Sequence, residues 1–280
     1  MATLEQLVAN HSTLLLDAMG VLINGNGPVT HAPEFIDYLN HCQKRYFILT
    51  NICGDTEHGI YERLRRNGIP LLSAESVISA GSLVRKYIDT VMPTGSTIAF
   101  IGPETCRSVL ATRSRSIVAC GETPFFDALA LLDDEGFPFR DTLEAALSSY
   151  VCIFETTGNL PRLLLANSDM AYPRTSNSYA FGSGIFATML SEALMSLLGM
   201  SPEVVCFGKP SDRMFAEAQR RSGDRSMMMI GDQLATDILG ANRFGITSTL
   251  VLTGLNTRQD IDRKPIVPHH VIDDLRIELI

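Results

Sequence analysis

Short apolar runs alternate along the chain with segments that carry apolar residues at helical spacing. Apolar runs of four to eight residues indicate buried strands, and the i, i+3, i+4 spacing indicates amphipathic helices. The runs predict strands at residues 13–16, 46–49, 97–101, 126–132, 163–166, 227–230 and 246–252. The helical spacing predicts helices at residues 32–42, 56–67, 142–149, 185–198 and 211–221, and a glycine-rich hairpin turn at residues 24–28. Because strands and helices alternate, we predict an α/β fold with a parallel sheet.

Polar residues stand where several of these strands end. The first strand runs into Asp17, the second into Thr50 and Asn51, and the strand at 227–230 into Gly231 and Asp232. Open parallel sheets bind their ligands at the carboxyl ends of the strands. An isolated aspartate at such a place can also simply cap a turn. We prefer the ligand-site interpretation because the polar strand ends recur along the chain.

The residue types at these positions fit phosphate chemistry. Two carboxylates, Asp17 and Asp232, can hold a hard cation such as Mg²⁺ beside a substrate phosphate. Thr50 and Asn51 can donate hydrogen bonds to phosphoryl oxygens, and Asp17 can attack phosphorus to form an aspartyl-phosphate. Lys209, one of only four lysines in the chain, can supply the positive charge that a phosphate requires.

Each of these residues also has a purely structural interpretation. Thr50 and Asn51 can be an ordinary strand exit, and Lys209 can be a solvated surface lysine. Asp232 and the nearby Asp237 can be acids at a helix terminus, where the macrodipole favours them. Their joint occurrence in this order, at these element ends, favours one shared phosphate site.

Composition narrows the class of protein further. The 280-residue chain has a formal net charge of −8, which argues against nucleic acid or an anionic membrane surface as the main partner. No apolar run approaches bilayer length, and we expect no signal peptide at the start. The six cysteines show no Cys-x-x-Cys spacing, which is typical of reduced thiols. We therefore predict a cytoplasmic protein whose partner is a small phosphorylated metabolite.

The signatures together resemble the haloacid dehalogenase (HAD) superfamily of aspartate-nucleophile phosphatases, most closely its class IIA branch of NagD-like, p-nitrophenylphosphatase and pyridoxal-phosphate phosphatase proteins. The resemblance spans nearly the whole chain. The motifs that carry it are, in order, Leu15-Leu16-Asp17-Ala18-Met19-Gly20-Val21-Leu22, Leu49-Thr50-Asn51, Leu165-Ala166-Asn167-Ser168-Asp169, Gly182-Ser183-Gly184, Gly208-Lys209-Pro210-Ser211 and Ile230-Gly231-Asp232-Gln233-Leu234-Ala235-Thr236-Asp237. It implies a Rossmann-like core at residues 1–78 and 181–280, with an inserted α/β cap domain at residues 79–180. It also implies a homodimer formed through the cap.

The resemblance implies a role for each matched residue. Asp17 would be the nucleophile and, with the backbone carbonyl of Met19, a ligand of Mg²⁺. Asp232 would be a further metal ligand and Asp237 would support the metal site. The transferring phosphoryl group would be bound by Thr50 and Lys209. Substrate-binding positions would be completed by Asn51, Asn167 and Asp169.

One position departs from the family pattern, which is Asp-x-Asp-Gly. Met19 stands where the second aspartate is expected, and in the family that aspartate protonates the leaving oxygen and then activates water. The methionine side chain can do neither, although its backbone carbonyl can still bind metal. Losing a general acid–base costs about 10²–10⁴-fold in rate. Ile52, where the family often has a polar residue, is a milder departure.

Three hypotheses follow for the function. The first is a Mg²⁺-dependent phosphohydrolase with weakened or altered chemistry. The second is a related transfer that uses a cap lysine, for which Lys86 is the candidate, although its helical setting is typical of a solvated face. The third is a catalytically impaired phosphate-binding or regulatory protein, against which the presence of Asp17, Lys209, Asp232 and Asp237 argues.

Overall fold

The computed structural model describes residues 3–175, 178–263 and 265–278. Its strands are β1 (Thr13–Leu16), β2 (Ile23–Asn24), β3 (Gly27–Pro28), β4 (Arg45–Thr50), β5 (Val77–Ser79), β6 (Thr97–Ile101), β7 (Ser116–Ala119), β8 (Ala128–Leu131), β9 (Arg162–Leu165), β10 (Ala171–Thr175), β11 (Ser178–Phe181), β12 (Val204–Cys206), β13 (Met227–Gly231), β14 (Thr247–Val251) and β15 (His270–Ile272). Its α-helices are α1 (Leu4–Asn10), α2 (Ala32–His41), α3 (Glu57–Arg66), α4 (Ala80–Val91), α5 (Thr105–Leu110), α6 (Phe139–Thr157), α7 (Ser183–Leu198), α8 (Asp212–Ser222), α9 (Leu239–Phe244) and α10 (Arg258–Arg263). A 3₁₀ turn spans Ala74–Ser76 and a π-helical turn spans Leu234–Ile238.

The chain divides into two compact units. The first unit comprises residues 1–50, 57–79 and 209–280, and the second comprises residues 51–56 and 80–208. None of the described helices is long and apolar enough to cross a bilayer.

The first unit is built on a parallel six-stranded sheet in the order β15-β14-β13-β1-β4-β5. The central strand β1 is buried along its whole length, which explains its uninterrupted apolar sequence. The predicted parallel sheet and Rossmann-like architecture are therefore confirmed. The hairpin turn is also confirmed, since Asn24 pairs with Gly27 between β2 and β3.

The second unit has its own parallel sheet, in the order β12-β9-β8-β6-β7. Its core contains Leu129, Leu163 and Tyr150, packed with Phe186 and Leu190 of helix α7. Helix α6 is longer than the predicted helix at 142–149 because its buried face continues through Tyr150 and Ile153 to the last turn. It ends at Gly158, whose φ of 72° is left-handed and which donates to the carbonyl of Phe154.

The boundary of the second unit differs from the predicted insert at residues 79–180. Helix α7 and strand β12 belong to the second unit, which continues to residue 208. The physical reason is that β12 pairs in parallel with β9, where Val204 lies beside Leu163, while α7 contributes to the same core. Periodicity predicts a helix at 185–198 correctly, but it does not tell which of two sheets that helix covers.

Candidate active site

Three neighbouring strands of the first sheet end in residues predicted for the site. Asp17 follows β1, Thr50 is the last residue of β4, and Asp232 follows β13. The strands on one side of β1 come from the segment after it, and those on the other side come from the C-terminal segment. The order therefore reverses between β1 and β13. Open parallel sheets place their ligands at such a reversal, and Asp17 and Asp232 lie on its two sides.

Three carboxylates meet at this edge of the sheet. Asp17, Asp232 and Asp237 are all buried, and one oxygen of each lies within 4.8 Å of the others. Asp237 lies in the π-helical turn after β13, and its Oδ2 accepts a hydrogen bond from the backbone N–H of Gln233 at 3.1 Å. Extra-wide turns of this kind are frequent at functional sites. Three close carboxylates repel one another, so the cluster needs positive charge.

Lys209 supplies one positive charge from within the protein. Its side chain is only 2% exposed, and its Nζ lies 2.6 Å from Asp17 Oδ1 and 2.7 Å from Asp237 Oδ1. The same ammonium donates to the backbone carbonyl of Leu49 at 2.9 Å. Lys209 is followed by Pro210 through a cis peptide bond at the start of the loop before α8. The solvated-surface interpretation of Lys209 is therefore wrong.

The proton affinities of the cluster reflect this crowding. Burial, and then the charges of Asp17 and Asp237, raise the pKa of Asp232 well above its ordinary value. Burial raises the pKa of Asp237 to about 6, although the ammonium of Lys209 pulls in the opposite direction. Burial also opposes the charge on Lys209, but Asp17 and Asp237 outweigh it and raise the pKa of Lys209. At neutral pH the ammonium is retained.

Two glycines leave room for the Asp232 carboxylate. A Cβ on Gly20, whose φ is +79°, would lie 2.4 Å from Asp232 Oδ2, and one on Gly254 would lie 2.0 Å from the same atom. The backbone N–H of Leu255 donates to Asp232 Oδ2 at 2.7 Å. Asn256 then links the loop after β14 to the π-helical turn, since its Oδ1 accepts from the N–H of Leu234.

Sequence reasoning missed this supporting loop at residues 253–256. Thr253 donates through its hydroxyl to the carbonyl of Gly20 at 2.7 Å, which ties the loop to the segment after β1. The signal was present, because Thr253 and Gly254 follow a predicted strand as Thr50 and Asn51 do. Small and polar residues at a fourth strand end were an indication of the same site.

The residues at this edge fit a hard divalent cation. Asp232 Oδ1 is buried and accepts no hydrogen bond from the described residues, whereas Oδ2 of the same carboxylate accepts one from Leu255. A buried carboxylate oxygen without a partner is costly unless a cation satisfies it. Asp17, Asp232 and Asp237 offer oxygen atoms, the donors that Mg²⁺ prefers. Met19, two residues after Asp17, is half-buried, and its backbone forms an isolated bridge with Ile23.

The other predicted site residues form a separate group in the second unit. Asn51 donates through Nδ2 to Asn167 Oδ1 at 3.2 Å, and the same oxygen accepts from the backbone N–H of Asp169 at 3.1 Å. Gly208 fits against this group, because a Cβ there would lie 2.7 Å from Asn51 Oδ1. The amide of Asn51 is thus part of a hydrogen-bonded loop cluster and not a bare strand exit.

Comparison with known families gives two matches. Residues 14–114 match the haloacid dehalogenase-like hydrolase family model, and residues 206–277 match the HAD-hydrolase-like model. These ranges include Asp17, Thr50, Lys209, Asp232 and Asp237. The chain therefore belongs to the haloacid dehalogenase superfamily, and it is an enzyme of the hydrolase class.

Individual relatives place the chain within that superfamily. The D-glycerol 3-phosphate phosphatase of Mycobacterium tuberculosis is 28% identical over 98% of this chain and 72% of its own length. A solved structure of a possible sugar phosphatase from Cytophaga hutchinsonii matches with 29% identity and a TM-score of 0.83, covering 100% of this chain and 99% of its own. The glycerol phosphate phosphatase from M. tuberculosis in complex with magnesium matches with 25% identity and a TM-score of 0.77, covering 96% and 76%. The chain is a class IIA, NagD-like member of the superfamily.

Proposed function

We propose that this protein is a Mg²⁺-dependent phosphohydrolase that acts on a small phosphorylated metabolite through an aspartyl-phosphate at Asp17. The observation that carries the proposal is the position of the Asp17 carboxylate at the reversal of the strand order. Its Oδ1 lies 2.6 Å from Lys209 Nζ and accepts from the N–H of Ala18 at 2.7 Å. With Oδ1 engaged in both contacts, Oδ2 is the oxygen that attacks phosphorus.

The proposed cofactor is Mg²⁺, which would be held by Asp17, Asp232 and the backbone carbonyl of Met19, with Asp237 supporting the site. When bound, the cation draws negative charge from the phosphoryl oxygens and offsets the repulsion among the carboxylates. The unpartnered Asp232 Oδ1 and the magnesium complex of the related glycerol phosphate phosphatase support this assignment.

The remaining residues would bind and orient the substrate. Lys209 places its ammonium at the nucleophile, where it would contact a phosphoryl oxygen, and Thr50 would donate a hydrogen bond to another. Asn51, Asn167 and Asp169 would contact the rest of the substrate. Because Met19 has no exchangeable proton, protonation of the leaving oxygen would be weakened or supplied differently.

Two further properties belong to the proposal. We infer a cytoplasmic enzyme, which the six free cysteines support. We also infer a homodimer formed through the second unit. Its exposed apolar side chains on α7 and β11, which include Met189, Leu197, Tyr179 and Phe181, support an interface there.

The test is the binding of a beryllium fluoride complex, which mimics an acyl phosphate. It should bind in a Mg²⁺-dependent manner, with a crystal structure showing beryllium bonded to an Asp17 oxygen. Asp17→Asn should abolish both this binding and turnover of p-nitrophenyl phosphate. Asp37→Asn, at an exposed position on α2, is the matched control and should change neither. A complex bound elsewhere, or full turnover by Asp17→Asn, would exclude Asp17 as the nucleophile.

A further inference from the structure

The segment after β1 offers no proton to the group that leaves phosphorus when Asp17 attacks. Residues 18–22 are alanine, methionine, glycine, valine and leucine, so no side chain in this segment ionises. Met19 carries a thioether, which is a weak acceptor and has no exchangeable hydrogen. Any proton for the leaving oxygen would have to come from another element around Asp17.

The ionisable side chains that surround Asp17 in the first unit are already engaged. The ammonium of Lys209 lies 2.6, 2.7 and 2.9 Å from Asp17, Asp237 and the Leu49 carbonyl, and its proposed role is to bind a phosphoryl oxygen, not to release a proton. Asp237 is buried between Lys209 and the backbone N–H of Gln233. Asp232 accepts from the backbone N–H of Leu255 through Oδ2 and is one of the three clustered carboxylates. Within the described part of this unit, Lys209 is assigned to the phosphoryl group, and Asp232 and Asp237 are assigned to the proposed Mg²⁺ site, which would require them deprotonated. None of these groups would then be left to protonate the leaving oxygen.

We propose that the enzyme is selective for phosphoryl compounds whose leaving group is stable as an anion. Its natural substrates are then acyl phosphates, and Met19 is the residue that determines this preference. The inference rests on the proposed phosphohydrolase function and names its substrate class. A carboxylate leaves as a weak base with a conjugate-acid pKa of about 4, so it needs no proton. A sugar or glycerol alkoxide is a far stronger base and depends on an acid.

The reaction balances without an enzyme acid. In the first step the Asp17 oxygen forms a bond to phosphorus, and the bond from phosphorus to the leaving oxygen breaks. The electron pair of the broken bond departs with the leaving carboxylate. In the second step a water oxygen bonds to phosphorus, the bond from Asp17 to phosphorus breaks, and the water proton goes to solvent. Inorganic phosphate and a free carboxylate are the products. Because residues 18–22 also offer no base for the water, the aspartyl-phosphate should accumulate.

The experiment compares leaving groups of one shape and different acidity. Single-turnover release of p-nitrophenol and of phenol is measured from their phosphate monoesters at saturating Mg²⁺, in the wild type, Met19→Asp and Met19→Asn. Acid quenching measures the phosphorylated protein in the same samples. Met19→Asn is the matched control, because asparagine has the size of aspartate and no acidic proton. The ratio of the two release rates is compared within each protein, so a general change in activity cancels.

In the wild type and Met19→Asn we expect p-nitrophenol release to be at least about 100-fold faster than phenol release, on the scale of a missing general acid. Met19→Asp should shrink that ratio by about 10-fold or more. Acetyl phosphate, added as a third substrate and followed by acid quenching, should phosphorylate the wild type faster than either aryl phosphate. Should the Met19→Asp protein fail to fold, the wild-type ratio decides alone. A wild-type ratio near one overturns the inference and leaves the phosphohydrolase proposal standing. Absence of any p-nitrophenol release and of any phosphorylated protein overturns both.

Discussion

The buried charges around Asp17 make this edge of the sheet sensitive to pH. Three carboxylates share one ammonium, that of Lys209, and each is shielded from water. Burying such a group costs several kcal/mol unless opposite charge compensates it. Burial raises the pKa of both Asp232 and Asp237 above the ordinary range for aspartate, and the neighbouring carboxylates raise both further.

This imbalance predicts a pH-dependent difference in stability between the wild type and Asp237→Asn. The pKa of Asp237 is about 6 in the folded protein and 3.8 when unperturbed, so between about pH 4 and 6 the folded state binds a proton that the unfolded state releases. Its contribution to stability is therefore present below about pH 4 and is lost as the pH rises through 6. The total loss is about 3 kcal/mol, at about 1.4 kcal/mol per pKa unit.

Urea unfolding with chelator at pH 4.5, 5.5 and 7 measures this effect. The free energy of unfolding of the wild type minus that of Asp237→Asn should fall as the pH rises. Taking the difference cancels the titrating groups that do not interact with Asp237. Because Mg²⁺ requires deprotonated ligands, its affinity measured by calorimetry should rise over the same interval. A difference that grows with pH would contradict the assignment of a raised pKa to Asp237.

At the scale of the elements, the site is made by loops that follow parallel strands. β1, β4 and β13 deliver Asp17, Thr50 and Asp232 to one edge because parallel strands end together. The loop after β14 then closes over Asp232 through Gly254 and Leu255. The position of the Asp232 carboxylate thus depends on a close approach that only a residue without a side chain permits.

Gly254→Ala should consequently weaken the metal site. Its Cβ would lie 2.0 Å from Asp232 Oδ2, so the loop or the carboxylate must move. We expect the affinity for Mg²⁺ to fall by about 10–100-fold, the usual effect of disturbing a group that orients a ligand. Gly25→Ala, where no atom lies within 4 Å of the new Cβ, is the control. Neither glycine is in the left-handed region, so backbone strain does not distinguish them. Equal calorimetric affinity in the two variants would remove the loop after β14 from the metal site.

Some helices and strands could be predicted from the sequence, and others could not. β1 and β6 were predicted with their bounds, and the helix predicted at 211–221 lies within one residue of α8 at each end, because these features depend on local apolar runs and helical spacing. The short strands β5 and β12 were not predicted, since three residues are too few to show a period. The π-helical turn at Leu234–Ile238 was also missed, because the tertiary position of Asp237 determines it and no local pattern does.

At the scale of the whole molecule, the structure brings together Asp17, Lys209, Asp232 and Asp237, as predicted, whereas the second unit ends at a different residue from the predicted insert. Strand ends converge by a general rule of parallel sheets, so Asp17, Lys209, Asp232 and Asp237 could be grouped from their positions alone. The assignment of α7 and β12 to the second unit depends on packing among residues distant in sequence, such as Phe186 with Leu163. Each unit consequently has its own sheet and core, and Asp17, Asp232 and Asp237 all belong to the first.

This division predicts that ligand binding stabilises the two units unequally. Mg²⁺ with beryllium fluoride should bind the folded first unit only, and at 100 times its dissociation constant it stabilises that state by about 2.7 kcal/mol. Hydrogen exchange measured by mass spectrometry should then slow at β1, which precedes Asp17, and at β13, which precedes Asp232. Exchange at β8 and β9 in the second unit should stay the same.

Asp232→Asn, which removes a proposed metal ligand, should abolish the protection at β1 and β13 while leaving β8 as it was. Equal slowing of β1 and β8 in the wild type would mean that the two sheets unfold as one cooperative structure. Unchanged exchange at β1, with the complex demonstrably bound, would place the ligand away from the carboxylates at the strand ends.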